Sequence, residues 1–197
     1  MQSDQADAGT TAGVPAQPGV VELAPERSAA SVGLPAGSDP VRLNIGAGNK
    51  AFPGWLSLGY EDHHDIKADV RAIPLPDASV DEAMAIHVLE HLNRWEAPAA
   101  LREWRRILKS GGLLVLELPD LVKCCRAVAA GQPPRNGLLG LYGDPVHQDE
   151  LMMHRWGWTL AEVMAELKAA GFTKIKEKTP VFHGKRVNRD MRIEARA

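Results

Sequence analysis

Cysteine is scarce in this chain. The two present, Cys124 and Cys125, are neighbours in sequence. They are placed to staple nothing, a usage that suits a reducing cytoplasm and filler roles in core or surface. Long hydrophobic runs are missing as well, since no stretch approaches the ~20 apolar residues that span a bilayer. The N-terminus, MQSDQADAGT, lacks both a basic region and an apolar core, so no secretory signal is expected there. Nor does one sign of charge dominate. Lys and Arg total 23 against 25 Asp and Glu, a net charge of −2, which gives no electrostatic footprint for nucleic acid or an anionic membrane. Residues 1–39 hold no aromatic residue and are rich in Ala, Gly, Pro, Ser and Gln. Such a segment cannot bury enough apolar surface to offset chain entropy, and it reads as a disordered tail.

What remains, residues 40–197, is one domain's worth of a chain that is 45% hydrophobic and 24% charged. A body of about 150 residues buries roughly 70% of its unfolded surface, enough for a single core. Short apolar runs alternate with helical stretches and no internal repeat interrupts them. VRLNI (41–45) reads as a buried strand, and WLSL (55–58) and DIKADV (65–70) as two shorter ones. SVDEAMAIHV (79–88) carries a fourth, with Asp81 and Glu82 at its entrance. A helix is expected over Ala97 to Leu108, with Leu101, Trp104 and Leu108 on one face, Pro98 in the first turn and Gly111 as the stop. LLVLELP (113–119) has the continuous apolar character of a central strand covered on both faces.

After a Gly- and Pro-containing region (131–150), TLAEVMAELKAAGF (159–172) is the best-marked helix. Thr159 and Glu162 form a capping box, Leu160, Val163, Met164 and Leu167 make the stripe, and Gly171 ends it. KIKEKTPVF (174–182) and MRIEARA (191–197) read as closing strands, the second as an edge. Strands alternating with helices imply an α/β fold, a mostly parallel sheet with helices on both faces. Ligands in such folds sit beyond the carboxyl ends of the strands, where strand order reverses.

The turn after the first strand, Gly46-Ala47-Gly48, falls at such an end. A bare GxG serves equally as a simple turn or as part of a cofactor site. A dinucleotide site wants a third glycine and a helix N-terminus facing the pyrophosphate. Here the third glycine is missing, and Pro53 and Gly54 interrupt any helix before Trp55. S-adenosylmethionine carries no phosphate and needs only a close backbone approach. The truncated turn therefore disfavours NAD and is compatible with that cofactor.

LNIGAGNK, PGW, IPLPDASVDEAMAIHVLEHL and LREWRRILKSGGLLVLELPDL, followed by LYG, HRWGW, AAGF and RDMRIEA, together resemble class I S-adenosylmethionine-dependent methyltransferases. The likeness is to a short bacterial branch of the type 11 enzymes, often associated with cell-surface polysaccharide genes, and it covers residues 41–197. It implies a Rossmann-like seven-stranded sheet of order 3-2-1-4-5-7-6, mostly parallel with an antiparallel last strand. Carried over by position, it implies that Asn44, Gly46, Ala47 and Gly48 form the cofactor turn, that Asp69 lies beside the adenine, and that Ile86 and His87 face the methionine part. Glu90 and His91 fall in the LEH motif, where stabilising the following helix competes with catalysis, and Asp120 falls on the substrate side. One departure stands out: relatives carry an aspartate for the ribose hydroxyls at the end of the second strand, where this chain has Gly59. The loss of such a charged hydrogen bond costs about 1.5–3 kcal/mol, ten- to a hundredfold in affinity. Glu61, or else Asp62, replaces it if the strand ends one pleat later.

The resemblance implies S-adenosylmethionine-dependent methyl transfer to a small-molecule or glycan acceptor, or alternatively a cofactor-binding or regulatory module without turnover. Methyl transfer mainly requires alignment of a nucleophile with the sulfonium methyl, and a base helps where the acceptor is a hydroxyl or amine. His87 and His154 are the candidate catalytic residues. Each has a competing role, His87 packed at its strand end and His154, like His147, on the surface of a lid. His147, Asp149, Glu150 and His154 match no recognisable metal spacing, so no metal is assigned. Trp156 and Trp158 suit lid packing or stacking on a glycan. A cytoplasmic enzyme with no membrane span and no nucleic-acid partner is expected, with no sequence signal for its oligomeric state.

Overall fold

The computed structural model describes residue 34, residues 39–182 and residues 188–197. The expected tail thus lies outside the described residues, apart from Leu34, which packs against the core, and Asp39. Seven strands form one sheet. They are β1 (Arg42–Ile45), β2 (Leu56–Gly59), β3 (Ile66–Lys67), β4 (Val80–Ile86), β5 (Leu108–Pro119), β6 (Thr173–Lys178) and β7 (Asp190–Arg196). Their order is β3-β2-β1-β4-β5-β7-β6. Every pair up to β5 is parallel, and β7 runs antiparallel to both β5 and β6. The fold class and strand order are those the resemblance implies.

Burial follows from the apolar runs. Leu43 and Ile45 of β1 and Leu114 of β5 are fully buried, and every residue from Leu114 to Asp120 is buried, as a central strand requires. Glu117, a charged residue within that run, is tolerated because its carboxylate accepts the amides of Val181 (2.9 Å) and Phe182 (3.0 Å), with Arg192 at 3.7 Å. Helix α1 (Ala97–Ile107) buries Leu101 and Trp104, and the Trp104 indole donates to Val70 O at 2.7 Å.

Two expectations need correction. Leu108 already adopts an extended conformation and opens β5, so α1 ends without glycine. Gly111, with φ +77°, instead bends β5 where its pairing with β4 slips between Val80 and Glu82. The edge strand is β6, not β7. The charged residues of β7 are accommodated inside the sheet because Arg192 bonds Glu194 at 2.9 Å and lies near Glu117.

Helix α2 (Leu121–Ala129) follows β5 directly. The Asp120 carboxylate caps it by accepting from Val122 N (2.8 Å) and Lys123 N (3.2 Å). Short helical turns, including α3 (Leu138–Tyr142), fill the Gly/Pro region. Helix α4 (Leu160–Ala169) carries the expected capping box, and Gly171 follows it at φ +93°. Val163 and Leu167 are its fully buried positions, while Leu160 and Met164 are half-buried. Cys124 is buried and Cys125 exposed, and both are free thiols. Among the described residues no helix is long and apolar enough to cross a membrane.

Candidate functional site

Strand order reverses between β1 and β4, and a crevice opens beyond their carboxyl ends. It is a cleft of about 810 Å³. Asn44, Gly46, Ala47, Gly48, Ile86 and His87 all line it. Within the turn, Gly46 (φ +64°) and Gly48 (φ +51°) both take left-handed conformations that disfavour side chains. A Cβ on Gly46 would stand 2.6 Å from Val88 Cγ2, whereas one on Gly48 would meet no protein atom within 4 Å. Gly46 thus serves packing, and Gly48 faces open cleft. The turn is held in place by Ala47 N donating to Leu58 O at 2.9 Å. Asn44 Nδ2 reaches Lys50 O across the loop at 3.4 Å.

At the end of β2 a side chain occupies the room beside Gly59. A Cβ there would lie 2.3 Å from His64 Nε2. The His64 ring, 8% exposed as a residue, packs over the glycine and binds Glu61 Oε2 at 2.9 Å. Glu61 lines the cleft, and its carboxyl is held below the usual range by its backbone hydrogen bond and by His64. Asp62 pairs instead with Lys67 on the surface. Farther along, Asp69 is bound to Arg71 through side chain (2.6 Å) and backbone (2.8 Å). Burial raises the Asp69 carboxyl, but the Arg71 bonds outweigh it and leave it lowered. Tyr60 and Arg71 line the cleft beside it, while Asp69 itself stands behind them.

The fourth strand ends at Ile86, and His87 follows it as a non-glycine residue at φ +56°. Its Nδ1 lies 2.8 Å from Glu90 Oε1 and its Nε2 3.3 Å from Asp190 Oδ2. Both carboxylates are buried, at 2% and 0% exposure. Burial pulls the imidazole down, but the hydrogen bonds and charges of Asp190 and Glu90 prevail and raise it to about 9. Reciprocally, Glu90 is lowered to about 2 against its own burial, by His87 first and then by the charges of His91 and His154. Asp190 also accepts from Arg189 Nε at 2.6 Å. His87 is therefore an imidazolium at neutral pH, with no lone pair for a proton.

His154 behaves oppositely. Burial holds its pKa below the ordinary histidine value, and its Nδ1 lies 2.9 Å from Gly140 O. A carbonyl only accepts, so Nδ1 carries the proton and Nε2 the lone pair. The segment bearing His154 is docked on the LEH turn by Arg155 N donating to Glu90 O at 2.8 Å.

The structure thus brings all the expected site residues except Asp69 onto one cleft. His147 and Asp149 also line it, while Asp120 caps α2 outside it. Trp158 is fully buried, its indole 3.4 Å from Leu89 O, whereas Trp156 is 40% exposed. Sequence reading missed His64, Arg189 and Asp190. Arg189 and Asp190 carried a signal, as the first two residues of the RDMRIEA segment, whereas His64 carried none.

A family profile described as a methyltransferase domain matches residues 43–116. A probable S-adenosylmethionine-dependent methyltransferase of Mycobacterium tuberculosis is 32% identical over 126 residues, 64% of this chain and 38% of that protein. One from Mycolicibacterium smegmatis is 32% identical over 112 residues, covering 57% and 35%. The chain therefore spans less than two fifths of the curated relatives it matches. Among solved structures, a SAM-dependent methyltransferase from Archaeoglobus fulgidus superposes with a TM-score of 0.58 at 17% identity, covering 81% of this chain and 87% of that one. The Burkholderia thailandensis 1,6-didemethyltoxoflavin-N1-methyltransferase, with S-adenosylhomocysteine bound, gives 0.53 at 14% identity over 80% and 70%. The fold, the profile matched over residues 43–116 and these relatives agree that the chain is similar to class I S-adenosylmethionine-dependent methyltransferases.

Proposed function

We propose that this protein binds S-adenosylmethionine in the β1–β4 cleft and transfers its methyl group to a small-molecule or glycan acceptor in the cytoplasm. The observation that carries the reading is the glycine turn. Gly48 is left-handed, opens onto the cleft and has no protein atom within 4 Å of its missing Cβ. A backbone of that shape accepts the carboxypropyl end of a cofactor without collision. Asn44, Gly46 and Ala47 complete the cradle, Glu61 takes the ribose hydroxyls, and Ile86 flanks the methionine part. Asp69 acts at the adenine end by holding Arg71 beside Tyr60. His87 shapes the methionine end as a fixed cation, which suits a cofactor carboxylate better than proton abstraction. His154 Nε2 offers the free lone pair on the acceptor side.

A second reading, a cofactor-binding module without turnover, is motivated by Gly59, where His64 fills the space an aspartate would need. Calorimetry with S-adenosylmethionine and S-adenosylhomocysteine tests the common step. Saturable binding that Gly48→Val removes supports both readings, and no heat at millimolar ligand overturns both. Formation of S-adenosylhomocysteine in the presence of a hydroxylated small-molecule or glycan acceptor library then favours the enzyme.

A further inference from the structure

The acceptor side of the cleft holds three side chains that the cofactor reading leaves without a joint task. One donor atom from each of Glu90, His91 and His154 lies within 4.8 Å of the other two. His154 Nε2 stands 3.9 Å from Glu90 Oε1. Both imidazoles are oriented from behind by backbone carbonyls, His91 Nδ1 by Met153 O at 3.2 Å and His154 Nδ1 by Gly140 O at 2.9 Å. Each carbonyl fixes the proton on Nδ1 and leaves the lone pair on Nε2, the arrangement that prepares histidines as metal ligands. Glu90 is 2% exposed, and its Oε1 is engaged by His87. Its Oε2 is buried and has no hydrogen-bond partner among the described residues. A buried carboxylate oxygen without a partner is costly, and a cation relieves that cost.

We propose that Glu90, His91 and His154 form a site for a divalent first-row transition metal of the zinc type, facing the acceptor side of the cleft. Two imidazoles and one carboxylate suit zinc, iron or cobalt and do not suit magnesium or calcium, which prefer all-oxygen shells. Bond lengths near 2.0–2.2 Å place neighbouring ligand atoms about 3.3 Å apart, so the three groups close in by up to about 1.5 Å on binding. Three protein ligands leave at least one coordination position open, as catalytic sites do. His91 and His154 both line the cleft, so that position takes an oxygen ligand, either water or a hydroxyl of the acceptor. The role in acceptor binding rests on the methyltransferase reading, whereas the metal site itself does not. His87 stays outside the set because both of its nitrogens face carboxylates.

The test uses the full chain, stripped with chelator and titrated with Co²⁺ and Zn²⁺. One equivalent of Co²⁺ should bind with visible d–d absorption that Zn²⁺ abolishes, while Mg²⁺ at the same concentration competes poorly. His91→Ala and His154→Ala should each weaken binding by roughly a hundredfold or more, beyond the effect of losing an outer-shell partner. Glu90→Gln should do the same; because Glu90 is buried, the half-buried His91 keeps the test decisive if that variant fails to fold. His147→Ala should leave affinity unchanged. Absence of stoichiometric binding at 1 mM metal overturns the proposal, as does binding that survives both His91→Ala and His154→Ala or that depends on His147. Calorimetry with S-adenosylhomocysteine on the same samples separates the two readings. Cofactor binding without metal binding defeats only the site, and metal binding without cofactor binding defeats only the cofactor reading.

Discussion

Replacing Glu61 by alanine tests how this pocket manages the ribose with glycine at position 59. Glu61 reaches the cleft from just past the end of β2, with Oε2 steadied by His64 Nε2 at 2.9 Å. Removing a charged hydrogen-bond acceptor from a ribose hydroxyl costs about 1.5–3 kcal/mol. The Glu61 side chain is 61% exposed, so solvent competes and the lower end applies. Affinity for S-adenosylhomocysteine should fall about tenfold in Glu61→Ala. His64→Ala keeps the carboxylate but frees its rotamers, a cost of about 0.5–1.5 kcal/mol, or roughly two- to tenfold. Gly59→Asp places a Cβ 2.3 Å from the His64 ring, so the ring must leave. That overpacking costs about 1–3 kcal/mol and lowers the melting temperature by about 2–12 °C. Calorimetry and thermal melts on the three variants read these effects. Wild-type affinity in Glu61→Ala, or a wild-type melt in Gly59→Asp, would refute the account of this corner.

Gly48→Val should abolish detectable cofactor binding while the protein stays folded, because its branched side chain projects into open cleft from a left-handed residue; unchanged affinity removes the turn from the site. Gly46→Ala should instead lower the melting temperature, by about 1–3 kcal/mol of overpacking against Val88, and Val88→Ala in the same chain should recover part of it. Trp104→Phe strips the buried Val70 carbonyl of its partner and should cost about 1–3 kcal/mol, read as a lower urea midpoint at unchanged slope. A chain beginning at Leu34 should bind S-adenosylhomocysteine as the full chain does; a marked loss of affinity or stability would show that residues 1–33 contribute to the fold.

The sheet was legible where local sequence carries its own energetics. β1, β4 and β5 are apolar runs, and the capping box of α4 is closed by residues three apart, Thr159 and Glu162. The edge expected at β7 is not observed, although Arg192 and Glu194 put two charges in that strand. Their mutual ion pair and Glu117, a residue of a different strand, are what permit an interior position. Conversely β6 reads TKIKEK with one half-buried residue, the profile of the true edge. Gly111 looked like a helix stop because a glycine after an amphipathic run usually is one. Whether it bends a strand instead depends on the register between β4 and β5, which no local pattern contains.

The site divides along the same line. The glycine turn is a local device, and the residues that sequence and resemblance single out there do line the cleft. Properties that depend on residues distant in the chain were not. His87 and Asp190 are far apart in sequence, yet their ion pair helps to settle the protonation of the strand-end histidine. Glu90 and His154 likewise meet only because the docked segment hydrogen-bonds back onto the LEH turn. Two buried carboxylates beside one imidazole require a proton between them, since uncompensated charges in such surroundings are far costlier than a paired cation. That requirement leaves the available imidazole lone pair of the cleft on His154 rather than on His87. Among the histidines that sequence offers as equivalent, the one held by a backbone carbonyl keeps a usable lone pair. The one held by carboxylates does not.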